Sequence, residues 1–341
     1  MRAAIFAEHG GPEVLRVEET PVPVLKPGEA LIKVEAGALN RLDLAARIGR
    51  PEVEPMPHIG GLDVVGTVAE TGADVQNVSP GDRVAIYPIL SCRNCSLCAA
   101  GDSALCRRQR VYGFQTQGGF AEYCAAPAVN LERVSPLADA AETSALSTAY
   151  LTAWRMLVRN ARLKRGEWVL IHSIGGGVGM AALDIARYLG ARVVGTASAD
   201  AKLETALNAG AEAVVNYRKE NAAERVMQIT NGAGADAVVD VIGEATWEIS
   251  LQCAAVNGRI VTAGVTSGPV APTNIRHFYQ RQLTAMGSVV GGQAEFRTLL
   301  ALASCGFLRP VVARRFALDE IRAAHEALES RACAGKVVIE P

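Results

Sequence analysis

No charge of either sign dominates this chain. Its 34 Lys and Arg stand against 35 Asp and Glu, a formal net charge of −1, and no basic block stands out. A polyanion such as nucleic acid is therefore not an expected partner. Long apolar runs are missing too. No stretch reaches the roughly 18 residues that a membrane-spanning helix needs. The opening MRAAIFAEHGGPEVL holds no apolar run long enough for a secretory signal, so a cytoplasmic location is expected. Internal repeats and low-complexity linkers are also absent. What remains is 341 residues, half of them hydrophobic and 20% charged. That is ample material for cores and, as a soft prior, for about two domains. With no polar linker between them, the two halves are expected to share a fixed interface with a cleft.

Cysteine is the conspicuous presence. Four of the eight fall in LSCRNCSLCAAGDSALCRR, as Cys92, Cys95, Cys98 and Cys106. The Cys-x2-Cys-x2-Cys-x7-Cys spacing reads as a tetrahedral metal site. Whether such a metal does chemistry or only holds a loop is not decided by the spacing. The other four, Cys124, Cys253, Cys305 and Cys333, sit among apolar neighbours. They are expected to be small buried hydrophobes, since a reducing compartment disfavours disulfides.

Residues 1 to about 150 carry short β-type runs such as EALIKVEAGAL, GTVAETG and DRVAIYPIL, bounded by Gly, Pro or Asp. LSTAYLTAWRMLV then reads as a helix. After it, WVLIHSI, ARVVGTA, AEAVVNY, ADAVVDVIG and GRIVTAG alternate with helical stretches. The first of these helices, VGMAALDIARYLG, ends at Gly190. Strands that are continuous apolar runs, alternating with helices, predict a parallel sheet covered on both faces. Toward the end, FRTLLALASCG and LDEIRAAHEALES are amphipathic helices, and GKVVIEP is a closing strand.

The most informative turn is HSIGGGVGMA. A strand runs into Gly175, Gly176, Gly177, Val178 and Gly179 and a helix follows. Glycines let the backbone approach a pyrophosphate, and the helix start offers free N–H groups to it. Gly176, Gly177, Val178 and Gly179, with Val241 and Val265 after two later strands, are the expected cofactor contacts. An NAD site would place Asp or Glu about 20 residues past the glycines, but Ala197 and Ser198 stand there. Ser198, Lys202 and Tyr217 instead favour a 2′-phosphate, hence NADPH. Two alternatives stay open: a solvated Lys with a strand-end Tyr, and an Asp200 turned inward to serve NADH.

GPEVL, KPGEALIKVEAGALNRLDL, GDRVAIYP, the cysteine segment, GGFAEY, GGGVG and GKVVIEP together resemble the medium-chain dehydrogenase/reductase superfamily, in its zinc alcohol dehydrogenase and quinone oxidoreductase branches. The resemblance spans essentially the whole chain. It implies an α/β architecture: a GroES-like β-barrel catalytic domain over 1–150 and 287–341, with the cysteine lobe at about 90–108. A Rossmann doubly wound parallel sheet is implied over 151–286. It also makes the four cysteines a structural zinc site, one per chain, whose closed thiolate cage leaves no open position for substrate or water.

The same comparison exposes what is missing. Where the alcohol dehydrogenases place the Cys, His and Cys that hold a catalytic zinc, this chain has Asn40, Leu62 and Ser144, with Asp63 at the neighbouring Glu position. These cannot make the usual site. His58 is a conceivable rescue ligand but reads as structural. Without a Lewis acid to stabilise an alkoxide, the expected reaction is hydride transfer to a quinone or activated alkene, an enone, enal or enoyl thioester. Asn40 resembles the asparagine of the zinc-free relatives that donates a hydrogen bond. Thr152 resembles a threonine they place near the nicotinamide. Arg41 is a candidate to steer an anionic acceptor.

There are departures. Ala45 stands where quinone oxidoreductases often carry Tyr, and RIGRPEVEP holds no Tyr at all. The proton donor is left among water, Tyr87 and Tyr150. The alternatives are an alcohol dehydrogenase with atypical zinc ligands, or a non-catalytic cofactor-binding protein. A homodimer or homotetramer through the apolar strand LTAMGSVVGG, Leu283 to Gly292, is implied by the resemblance.

Overall fold

The computed structural model describes residues 1–341. The chain divides into two compact units, Met1–Leu151 with Gly291–Pro341, and Thr152–Val290. No helix is long and apolar enough to cross a membrane.

The first unit is built on a mixed sheet. In spatial order its strands are Leu131–Arg133, Arg83–Ile86, Asp63–Thr71, Glu29–Ala38, Lys336–Glu340 and Val312–Ala317. Tyr123–Pro127 also pairs with the first half of Glu29–Ala38. This central strand is long because it alternates small and β-branched residues on a face buried against Val64, Val68, Val84 and Ile86. A second core gathers Phe6, Leu39, Phe120, Phe316 and Ile339 beneath the helix Ile321–Glu329.

Register positions the site. Ala38 lies opposite Asp63 on one side and opposite Val338 on the other. The N–H of Leu39 then donates to the carbonyl of Val337. Residues 40, 63 and 336, distant in sequence, therefore meet at one end of the sheet.

The second unit is a six-stranded, all-parallel sheet. Its order is Ala213–Asn216, Arg192–Ala197, Trp168–Ile171, Ala235–Asp240, Ala254–Thr262, Thr284–Gly287. The order reverses at Trp168–Ile171, the place where doubly wound sheets bind ligand beyond their strand ends. Trp168, Leu170, Val194, Val238 and Ile260 fill the core from one face.

Three expectations need correction. The stretch Leu283 to Gly292 is extended only over Thr284–Gly287; Gly287, Gly291 and Gly292 weaken a longer strand, and Gly292 instead caps the helix Gln293–Ser304. The expected helix at LSTAYLTAWRMLV is not a plain α-helix. π-helical turns at Leu146–Tyr150 and Arg155–Asn160 flank Leu151–Trp154. Of the scattered cysteines, Cys124 and Cys253 are buried, but Cys305 is exposed and Cys333 half-buried. Cys305 caps the end of Gln293–Ser304, where Gly306, at φ 75°, turns the chain into solvent.

Candidate functional site

Asn40 closes the central strand and opens the helix Arg41–Ile48. Its backbone N–H donates to Asp43 Oδ2 at 2.7 Å, the return half of a capping arrangement. Its side chain joins a buried polar cluster. Lys336 Nζ donates to Asn40 Oδ1 at 2.6 Å and to Asp63 Oδ2 at 3.1 Å. Asn40 Nδ2 donates to Asp63 Oδ2 at 2.8 Å and, at a long 3.3 Å, to the carbonyl of Ala38.

The opposite oxygen of Asp63 accepts from Thr148 N at 3.0 Å and Thr148 Oγ1 at 2.5 Å. Thr148 lies in the first π-helical turn. From that turn its backbone N–H reaches the carboxylate. Four donors thus converge on Asp63, which is fully buried, and Lys336 is only 5% exposed. A buried charge pair survives only when its remaining hydrogen-bonding capacity is so filled.

Asp43 is also buried. Its Oδ1 accepts from Gly61 N at 3.0 Å. Burial pushes its carboxyl up to about 7, with the nearby Asp63 charge adding to the effect. The folded state therefore holds a proton that the unfolded chain releases at lower pH. The resulting stability is present below the ordinary aspartate range and is lost as pH rises toward 7. We expect wild type to lose on the order of 4 kcal/mol across that window from this group alone. Denaturant titrations of wild type and Asp43→Asn at pH 4, 5.5 and 7 read the difference. Parallel pH profiles would contradict the assignment.

The residues at the alcohol dehydrogenase ligand positions do not fit a second zinc. Leu62 is a core side chain, 1% exposed. Ser144 Oγ donates to the Ala141 carbonyl within its own helix. The Asn40 amide is gripped by an ammonium, so a cation already stands beside it. His58 is no rescue ligand. It is buried, its Nε2 and Nδ1 lie 3.1 and 3.3 Å from the carbonyls of Gly113 and Pro55, and burial lowers its pKa.

The cysteine lobe does fit a zinc. Cys92, Cys95, Cys98 and Cys106 offer sulfurs all within 4.8 Å of one another. Four of the separations are 3.4, 3.5, 3.9 and 3.9 Å. A tetrahedron with Zn–S near 2.3 Å has edges of about 3.8 Å. No other group of three or more His, Cys, Asp or Glu comes together in this way. The lobe is tied down by Arg93, whose guanidinium donates to the Val129 carbonyl, Asn130 Oδ1 and Gln293 Oε1.

In the second unit, Gly176 caps the helix Gly177–Tyr188 without a side-chain bond, leaving the first N–H groups of that helix open. Glycine is required at position 179, where a Cβ would lie 2.4 Å from the carbonyl oxygen of Ser173. The alkyl chain of Lys202 packs over Gly175, where an added Cβ would lie 2.9 Å from Lys202 Cδ. Ser198 follows the end of Arg192–Ala197, and Tyr217, half exposed, follows Ala213–Asn216, its N–H donating to the Ala197 carbonyl. Asp200 accepts from Lys219 Nζ at 2.6 Å and Asn216 Nδ2 at 2.7 Å. Val241 and Val265 follow Ala235–Asp240 and Ala254–Thr262, and a Cβ at Gly264 would strike the Val241 carbonyl oxygen.

Thr152 is buried in the short α-helical stretch Leu151–Trp154. Arg41 is exposed at the first helical position, its pKa lowered by partial desolvation and by the facing Arg331. Tyr87 is committed elsewhere, donating to the Gly291 carbonyl at 3.0 Å. Tyr150 is buried.

Two residues of the cluster, Lys336 and Thr148, were not singled out from sequence. A closing strand that begins with Lys gave the only signal for one of them.

A parallel, doubly wound sheet in one unit and a GroES-like sheet with a thiolate lobe in the other define a medium-chain oxidoreductase. Residues 26–136 match the alcohol dehydrogenase GroES-like domain, and residues 177–304 match the zinc-binding dehydrogenase family. An alcohol dehydrogenase of Geobacillus stearothermophilus is 32% identical over 100% of this chain and 99% of its own length. A quinone oxidoreductase of Salmonella typhimurium is 33% identical, covering 98% of each chain. The crystal structure of an NAD-dependent alcohol dehydrogenase superposes with a TM-score of 0.96 at 37% identity over 100% of both chains. The chain belongs to the medium-chain dehydrogenase/reductase superfamily, in its zinc alcohol dehydrogenase and quinone oxidoreductase branch.

Proposed function

We propose that the protein is an NADPH-dependent reductase that delivers hydride to a quinone or activated alkene with no catalytic metal. The observation that supports this reading is that Asn40, Leu62 and Ser144 offer no zinc-ligand set, and that Asn40 is instead bound to Lys336 and Asp63. The nicotinamide supplies the hydride. Within the chain, Asn40 has one weakly engaged N–H, the 3.3 Å contact to Ala38. That N–H is the donor available to an oxygen gaining negative charge. An enone, enal, enoyl thioester or quinone develops such a charge, and none needs an alkoxide stabilised beforehand. Relatives named alcohol dehydrogenase and quinone oxidoreductase match about equally well, so the donor set is what favours the second type.

The test is NADPH consumption with a panel of quinones, enones and enoyl thioesters, beside alcohol oxidation with NADP+. Turnover of the panel alone supports the reading; turnover of plain alcohols alone defeats it. The four thiolates are the seat of a single structural zinc, with no role in the reaction.

Asp200 occupied by Lys219, and Lys202 lying on the glycine loop, support NADPH over NADH. Lys202→Ala is expected to raise KM for NADPH about tenfold or more while leaving KM for NADH nearly unchanged. Equal effects on both would refute the 2′-phosphate contact. The uncovered edge strand Thr284–Gly287 is the surface we assign to a homodimer or homotetramer, a state that light scattering reads directly.

A further inference from the structure

We propose that Lys336 is a positioning residue of this site, one that fixes and polarises the Asn40 amide. The proposal rests on the reading above, that Asn40 binds the acceptor oxygen. Three contacts close a ring: Lys336 Nζ to Asn40 Oδ1 at 2.6 Å, Lys336 Nζ to Asp63 Oδ2 at 3.1 Å, and Asn40 Nδ2 to the same Asp63 oxygen at 2.8 Å. Only one orientation of the amide satisfies all three. A flipped amide would set Oδ1 against a carboxylate and NH2 against an ammonium.

The arrangement is costly as a purely structural device. Lys336 begins a strand whose next residues, Val337, Val338 and Ile339, are fully buried and apolar. A well-packed hydrophobic pair in place of a buried ion pair is often neutral or stabilising. An ammonium is nonetheless retained there, donating to the Asn40 amide oxygen.

Its effect on the amide follows from charge. A cation on the carbonyl oxygen draws electron density from the nitrogen, and hydrogen bonds linked in series strengthen one another in a low-dielectric site. The second Nδ2 hydrogen, only loosely held by Ala38, becomes a better donor to a developing oxyanion. Asp63 holds the ammonium in place and, through Thr148, is itself anchored.

A double-mutant cycle between Lys336→Met and Asn40→Ala tests this, read as kcat with an enone and as KM for NADPH. Each single variant is expected to lose about 10- to 100-fold in kcat with KM for NADPH within about twofold. The double variant is expected to be no slower than Asn40→Ala, because Lys336 acts through Asn40. Lys336→Gln, which keeps donors without charge, covers the case in which Lys336→Met fails to fold, and is expected to lose rate likewise. Multiplicative losses in the double variant, or full activity in Lys336→Gln, would overturn the proposal.

An activity-independent reading comes from the Asn40 side-chain NH2 resonances by NMR. In wild type the two protons should be widely split and one of them protected from exchange; in Lys336→Gln the splitting should shrink. Should wild type prove inert with every acceptor, the reductase reading falls. The same spectra then decide the Lys336 proposal alone, and unchanged resonances defeat it.

Discussion

Asp63→Ala is expected to destabilise the first unit by about 3–5 kcal/mol, among the largest losses any single substitution here should cause. The reason is what the carboxylate leaves behind. The Lys336 ammonium, 5% exposed, would have no counter-charge. Asn40 Nδ2 and the N–H and hydroxyl of Thr148 would lose their shared acceptor. Buried donors stripped of partners carry their full desolvation cost. Asp63→Asn keeps the shape and one acceptor oxygen, so it should lose less than Asp63→Ala. Replacing both Asp63 and Lys336 by apolar residues should recover part of the loss, since no orphaned charge remains. Guanidinium unfolding at constant pH measures all three. Equal stability of Asp63→Ala and wild type would mean that the ion pair does not form in solution.

Withdrawing zinc is the second large perturbation. The lobe from Ser96 to Leu105 has almost no core of its own, with only Ala104 and, next to it, Cys106 as buried apolar groups. Four sulfurs at 3.4–3.9 Å hold together when a dication neutralises them, and the binding energy is then folding energy for the loop. Cys95→Ser or strong chelation should raise hydrogen exchange across residues 92–106 by several orders of magnitude. The loosening should also reach Arg93 and its partners Asn130 and Gln293. The nucleotide-binding unit should keep its protection. Unchanged exchange in the lobe would show that it is held by something other than metal. With the reaction assigned to the Asn40 cluster, residual activity per folded chain is expected to survive.

The nucleotide-binding unit was readable because a parallel sheet writes itself as apolar runs between helices. Its glycine turn is dictated locally: Gly179 meets the Ser173 carbonyl within a single loop. The cysteine lobe is likewise local, its ligands spanning 92 to 106. The cluster at Asn40 is a different matter. Lys336 reaches Asn40 across 296 positions and Thr148 reaches Asp63 across 85, through strand register and a π-helical turn. Neither feature leaves a periodic trace in the residues. The resemblance implies which metal-ligand positions are changed; only the folded chain brings an ammonium to the place. Of the proton-donor candidates water, Tyr87 and Tyr150, Tyr87 spends its hydroxyl on the Gly291 carbonyl, a partner 204 residues away that the sequence does not reveal. The exposed Cys305 is a local misreading, because a helix end beside Gly306 turns outward whatever its flanking hydropathy.

Reduction without a catalytic metal has a direct readout in metal analysis on catalytically competent protein. Zinc should be counted per chain in a sample whose NADPH-dependent turnover of quinones or enones is measured at the same time. The account predicts one zinc per chain, carried by Cys92, Cys95, Cys98 and Cys106, in fully active protein. Two zincs per chain, with activity that tracks the second and extends to plain alcohols, would contradict it.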